Sequence, residues 1–270
     1  MKRLKTHGVE IAYLDQGEGP PVIIAHCSSA SHREWLPLIE KLSPEWRVLA
    51  PDLIGYGQSD AWPEDKVFTG AADLAILLAL AKEAKKPVHF VGHSYGAALA
   101  LEAARELGPE VQSLTLVEPV AFNLLRAERR PEWSEVEELG RAVLSAVSSG
   151  NEREAAAAFM RYWLGRLRWW LSPEKFKAAI TATIRKVALE FMIVIESGRR
   201  LSDYASVTAP TLLIVGGKTR APARAVVDML SATLPKATVT VLKNAGHMSP
   251  FTHPSEVNRL IAGHLAARRQ

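Results

Sequence analysis

At 270 residues and 48% hydrophobic content, the chain is long enough to build one large or two ordinary domains around a sizeable core. Its formal charge of +4 is the remainder of 33 Lys and Arg against 29 Asp and Glu. The pairs Arg129-Arg130, Arg199-Arg200 and Arg268-Arg269 read as solvated helix ends rather than a nucleic-acid surface. One cysteine, Cys27, excludes an internal disulfide and fits a reducing compartment. The first residues lack an apolar stretch of signal-peptide length, and the longest apolar run, Leu74 to Ala81, is far short of a membrane span. The expectation is a soluble cytoplasmic protein, monomer or homodimer, with neither nucleic acid nor membrane as partner.

In chain order, Lys2 to Thr6 and Val9 to Leu14 read as strands joined at the turn-forming pair His7-Gly8. After a break at Gln16 to Pro21, Val22 to Ala25 is a continuous apolar run of the kind buried on both faces of a parallel sheet, and it ends in His26-Cys27-Ser28-Ser29-Ala30-Ser31. His32 to Leu42 places Trp35, Leu38, Ile39 and Leu42 at helical spacing. The strand Arg47 to Pro51 runs into Asp52-Leu53-Ile54-Gly55-Tyr56-Gly57-Gln58-Ser59-Asp60. Gly55 and Gly57 open no helix and lack a third glycine, which argues against a dinucleotide fingerprint. Asp52 is expected to hydrogen-bond this loop's backbone. Thr69 to Lys85 predicts a helix capped by Thr69, with Leu74, Leu77, Leu78 and Ala81 on its buried face.

The apolar run Val88 to Val91 ends in Gly92-His93-Ser94-Tyr95-Gly96 and passes directly into the alanine-rich helical stretch Ala97 to Leu107, stopped at Gly108-Pro109. Ser113 to Val117 is the next buried strand. Strands alternating with helices imply a mostly parallel sheet. From Phe122 to Asp203 the alternation gives way to helices over Trp133 to Val147, Glu152 to Trp170 and Pro173 to Ile195. This insertion carries Trp133, Phe159, Met160, Trp163, Trp169, Trp170, Phe176, Phe191 and Met192, most of them expected in its own small core and a subset around a pocket. Strands resume at Ala209 to Gly217 and Ala237 to Leu242, and Pro254 to Arg268 closes the chain as an amphipathic helix.

A serine on a sharp strand-to-helix turn, flanked by glycines, presents its Oγ freely, and the Tyr95 N-H at the helix start suits an oxygen that becomes negative. Gly-His-Ser-Tyr-Gly therefore resembles the nucleophile elbow of the α/β-hydrolase family. The resemblance implies an α/β fold with a mostly parallel eight-stranded sheet flanked by helices. It also implies a core formed by residues 1–121 and 204–270 and an inserted helical cap at 122–203. The loop after Ala25 resembles the family's His-Gly-x oxyanion loop, with cysteine where glycine is usual, so that Ser28 would supply the second N-H. His26 is then a brace for the loop and Cys27 a small buried residue. The Asp52 segment is similar to the family's Pro-Asp-x-x-Gly-x-Gly-x-Ser loop.

The family's base is a histidine after the last strand, which places it at His247 in Gly246-His247. Its usual acid falls at Thr219, which cannot carry charge. Glu118, at the C-terminal end of the strand after the elbow, is the candidate acid, a placement similar to that of some haloalkane dehalogenases. Asp203 and Asp228 are poorer candidates. Phe122, Trp163 and Met248 are expected to touch substrate. The reading is a serine hydrolase (Ser94, His247, Glu118) that cleaves a small to medium carboxylic ester through an acyl-enzyme, with no metal and no organic cofactor. Lactone, amide or carbon-carbon bond hydrolysis, perhydrolysis, and a non-catalytic binding protein stand as alternatives.

Overall fold

The computed structural model describes residues 1–63, 65–85 and 87–269, and its centre is an eight-stranded sheet in the order β1-β2-β4-β3-β5-β6-β7-β8. The strands are β1 (Lys2–Thr6), β2 (Val9–Gln16), β3 (Pro21–Ala25), β4 (Arg47–Pro51), β5 (Val88–His93), β6 (Val111–Val117), β7 (Thr211–Gly216) and β8 (Ala237–Leu242). β2 is antiparallel to both β1 and β4, and every other neighbouring pair is parallel. The central strands β3, β5 and β7 are buried along their whole length, as their largely apolar sequences require, with His89, His93 and Thr211 the buried polar exceptions.

Helices cover both faces. Trp35, Leu38, Ile39 and Leu42, from a single 3-10 turn and α1 (Leu36–Leu42), pack with Val257, Ile261 and Leu265 of the last helix against one face. On the other lie α2 (Gly70–Ala84), α3 (Tyr95–Leu107) and, beyond the insertion, the helix Ala221–Thr233. In α3 the alanines Ala97, Ala100, Ala103 and Ala104 are almost fully buried, so this helix sits close on the strands.

Between β6 and β7 the chain forms α4 (Asn123–Ala127), α5 (Trp133–Ser148), α6 (Glu152–Leu164), α7 (Arg166–Leu171) and α8 (Glu174–Glu196). After β7 follow α9 (Ala221–Thr233), a single turn α10 (Ser249–Thr252) and α11 (Pro254–Ala266). The inserted helices have their own core, including Leu139, Val143, Phe159, Met160, Trp169, Ile184 and Phe191. Among the described residues no helix is long and apolar enough to cross a membrane.

Two local expectations need correction. The long helix expected over Glu152 to Trp170 breaks at Gly165, whose φ of +86° ends α6 and lets α7 start in a new direction. Thr69 occupies the N-cap position of α2 but makes no side-chain cap bond, and of the four residues expected on one face Leu77 and Ala81 are buried while Leu74 and Leu78 are half-buried, with Ala72, Asp73, Ile76, Leu80 and Ala84 buried beside them. The helix is turned so that Asp73 points inward, where it meets the hydroxyl of Tyr95 and the ammonium of Lys186.

Candidate active site

β5 delivers Ser94 to the start of α3 with φ +55° and ψ −117°, a region that costs a non-glycine residue about 1–3 kcal/mol. The turn is tight enough to demand its glycines: a Cβ on Gly92 would lie 2.4 Å from the Gly96 carbonyl oxygen, and one on Gly96 would lie 2.4 Å from that of His26. The N-H of Ser94 donates to the Val117 carbonyl at 3.0 Å, tying the elbow to the end of β6.

Three side chains from three loops form a continuous line. Ser94 Oγ is 3.0 Å from His247 Nε2, and His247 Nδ1 is 2.9 Å from Glu118 Oε2. Glu118 leaves β6 with a positive φ of 47°, which turns its carboxylate back toward the end of β7. There Oε1 accepts the Gly216 N-H at 2.7 Å and Oε2 accepts the Thr219 hydroxyl at 2.5 Å. Burial pushes the Glu118 pKa up, but the hydrogen bonds from His247, Thr219 and Gly216 together hold it below the ordinary carboxylate value. For His247 burial is the larger influence and depresses its pKa, opposed by Glu118, so the imidazole is neutral at neutral pH with a lone pair available at Nε2.

Ser28 follows β3, Tyr95 opens α3, and neither backbone N-H has a protein acceptor among the described residues. His26 braces the loop: its Nε2 accepts the Leu53 N-H at 2.9 Å, and its Nδ1-H donates to the Cys27 carbonyl at 2.7 Å. Cys27 is buried, and burial pushes its thiol pKa well up, so it is no nucleophile. Asp52 accepts the His32 and Gln58 N-H groups, each at 2.8 Å, and also pairs with His32 Nδ1, so it shapes its loop as expected. Asp203 serves the N-H of Arg200, remote from Ser94.

Of the three residues expected to touch substrate, Phe122 and Met248 line separate pockets at Ser94, and Trp163 lines both. Its indole stacks on the His247 ring at a centroid distance of 3.6 Å and an interplanar angle of 21°. Phe159, Met160, Phe176 and Phe191 are the other aromatic or methionine side chains of the insertion that reach these pockets, whereas Trp170 is 72% exposed.

Two buried polar clusters had no local sequence signal. Behind the line of Ser94, His247 and Glu118, His93 Nδ1 is 2.6 Å from Glu34 Oε1 and His93 Nε2 is 2.9 Å from the His247 carbonyl oxygen, while Glu34 Oε2 accepts the Cys27 N-H at 2.8 Å. Cys27, Glu34 and His93 bring potential metal-ligating atoms within 4.8 Å of one another, but both carboxylate oxygens are already occupied by these hydrogen bonds. On the opposite side, Lys186 of α8 reaches Asp73 at 2.8 Å and Glu190 at 2.7 Å, and Glu190 accepts the Ser28 hydroxyl at 2.5 Å. The Lys186 ammonium also lies over the rings of Phe68, Tyr56 and Tyr95 at 4.5, 5.1 and 5.2 Å.

The sheet order, the strained elbow serine and the histidine after the last strand define an α/β hydrolase. The model of the alpha/beta hydrolase family matches residues 22–260, and the chain belongs to that family. Among solved structures it is similar to a thermophilic esterase from Thermogutta terrifontis, with a TM-score of 0.80, 25% identity and full coverage of both chains. It is 22% identical to the (E)-2-((N-methylformamido)methylene)succinate hydrolase of Acinetobacter baylyi over 94% of this chain and 93% of that protein. A haloalkane dehalogenase of Sphingobium indicum is 28% identical over 55% of this chain, a match that spans about half, 49%, of that protein's length.

Proposed function

We propose that the chain is a serine hydrolase that cleaves carboxylic esters, with Ser94 as nucleophile, His247 as base and Glu118 as the acid that orients it. The observation that carries this reading is the unbroken run Ser94 Oγ, His247 Nε2, His247 Nδ1, Glu118 Oε2 at 3.0 and 2.9 Å. Attack by Oγ on the ester carbonyl passes its proton to His247 Nε2, and Glu118 stabilises the imidazolium that results. The N-H groups of Ser28 and Tyr95 take the oxyanion, helped by the positive end of α3. His247 then returns the proton to the departing alcohol, and a water activated by the same nitrogen releases the acid.

The placement of Glu118 bears on the binding-protein alternative. Thr219 stands where the family usually keeps its acid, yet its hydroxyl donates to the carboxylate that occupies the same space from β6. That arrangement supports a relocated acid rather than a lost one. The serine at the elbow sets the chain apart from relatives whose chemistry needs a carboxylate there. The helices between β6 and β7 act in this reading as a cap: Trp163 covers His247, and Phe159 and Met160 wall the pocket.

The test is labelling by a small fluorophosphonate. The expected outcome is stoichiometric modification of the wild-type protein and none of Ser94→Ala. A folded wild-type protein that is not labelled and turns over no ester would overturn the proposal.

A further inference from the structure

Two chambers meet at Ser94, and they differ in size and in access to the base. One has a volume of about 360 Å³ and is lined by His247 together with Met160, Leu164, Ile180, Met248 and Phe251. The other has about 30 Å³ and is lined by Val120, Phe122, Val187, Phe191 and Glu190. Ser28 and Ser94 line both, Tyr95 lines the small one alone, and His247 lines the large one alone.

Resting on the ester-hydrolase reading, the geometry points to a substrate class: esters of very short, uncharged acids, acetyl or propionyl in size, with bulky apolar alcohols. The tetrahedral carbon formed on Ser94 carries three other substituents. Its oxyanion is taken by the N-H groups of Ser28 and Tyr95. Its leaving oxygen must receive the proton held on His247 Nε2, so the alcohol occupies the chamber that His247 lines. The acyl group is left with the other.

That second chamber offers about 30 Å³ against about 360 Å³ for the first, which suits a group as small as a methyl or an ethyl. Four of its walls, Val187, Phe122, Val120 and Phe191, are between 1% and 7% exposed and packed interiors resist added methylenes, while Trp163 and Val194 on its other sides are half-buried. Glu190 closes one end. It shares the single ammonium of Lys186 with Asp73, so an acyl group that carries its own negative charge would lose its hydration here with no cation among the described lining residues to replace it. The alcohol chamber has apolar walls, with Arg33 and Thr252 among its other residues, and admits a large hydrophobic group.

The experiment is a pair of substrate series. With para-nitrophenyl esters, kcat/KM is expected to be highest for acetate and propionate and to fall by about tenfold or more at butyrate and again at hexanoate, the scale of a methylene that finds no room. With acetate esters of alcohols from ethyl to octyl, it is expected to hold or rise. The half-ester of malonic acid is expected to be at least about tenfold poorer than the propionate. Val187→Ala and, independently, Phe191→Ala should move the acyl optimum toward butyrate or hexanoate. A wild-type protein that is labelled at Ser94 by diisopropyl fluorophosphate yet prefers octanoate to acetate would overturn the chamber assignment and leave the nucleophile standing. Folded chamber variants with an unchanged acyl profile would overturn it too. No labelling and no turnover of any ester would instead remove the reading on which it rests.

Discussion

Two histidine-carboxylate pairs lie side by side at the heart of the molecule, their imidazole centroids 5.2 Å apart. Both are buried, and both join Nδ1 to a glutamate, His247 to Glu118 at 2.9 Å and His93 to Glu34 at 2.6 Å. What separates them is the partner of Nε2. For His93 it is a backbone carbonyl, which only accepts, so Nε2 must keep its proton and the ring can only brace. For His247 it is the Ser94 hydroxyl, which can give up a proton as well as accept one. Burial lowers the pKa of His247 and Glu118 does not fully restore it, whereas for His93 burial is opposed by the charge and hydrogen bond of Glu34, the His247 carbonyl and the charge of Glu118, which together raise it. One pair thus presents a free lone pair at neutral pH, whereas in the other the surroundings favour the protonated ring. A histidine beside a carboxylate becomes a base only where its far nitrogen faces something it can deprotonate.

Substitution of each carboxylate should break this comparison in opposite ways. Glu118→Gln is expected to lower kcat by roughly 10³–10⁴, because a neutral partner no longer stabilises the charged imidazole, with a smaller effect on Tm. Ester turnover and thermal melting of the same preparation measure both. Turnover near wild type would remove Glu118 from the mechanism. Glu34→Gln should invert the pattern, since an uncompensated buried group costs about 3–5 kcal/mol while kcat falls only by about tenfold through the loosened His247 loop. The raised pKa of His93 gives this loss a pH signature. Its contribution to stability is complete below the unfolded imidazole pKa and disappears as pH rises through the folded one, so the gap in stability between wild type and Glu34→Gln should narrow toward alkaline pH.

The pH profile sharpens the contrast further. Attack needs neutral His247, so kcat/KM should rise with pH through a limb centred below the ordinary imidazole pKa, and in Glu118→Gln the residual activity should show that limb moved to still lower pH. A limb shifted upward in that variant would contradict the direction in which Glu118 acts. The smallest effect is expected at Thr219. Thr219→Val removes one donor from Glu118, on the order of 1 kcal/mol, and should reduce kcat by no more than about tenfold. In the Glu118→Gln background, Thr219→Asp should recover part of the lost activity if a carboxylate at the end of β7 faces His247; no recovery would show that it does not.

Much of this architecture could be read from residue order. The apolar runs Val22–Ala25 and Val88–Val91, the second broken only by His89, alternate with helical periodicity and specify a buried parallel sheet because both faces of such strands must be covered. The elbow was legible because its glycines have a steric reason, and Glu118 because acidic groups at strand ends gather on one edge of the sheet. The Glu34-His93 pair was not. Its members are 59 residues apart, on a 3-10 turn and at a strand end, and nothing near either residue announces the other. The inward turn of Asp73 was hidden for a similar reason. Leu77 and Ala81 are buried as their spacing implies, but the cation that makes a buried aspartate tolerable sits 113 residues further on.

The buried contact of Lys186 with Asp73 and Glu190 also governs how molecules come and go. Swinging α8 off α2 would pull the Lys186 cation from Asp73 and three aromatic rings, and Glu190 from the Ser28 hydroxyl, a strongly uphill motion. Traffic is therefore expected to pass beside the inserted helices, through the mouth near Arg33, Phe251 and Thr252, while the α8 side acts as a fixed wall against which each incoming molecule is oriented.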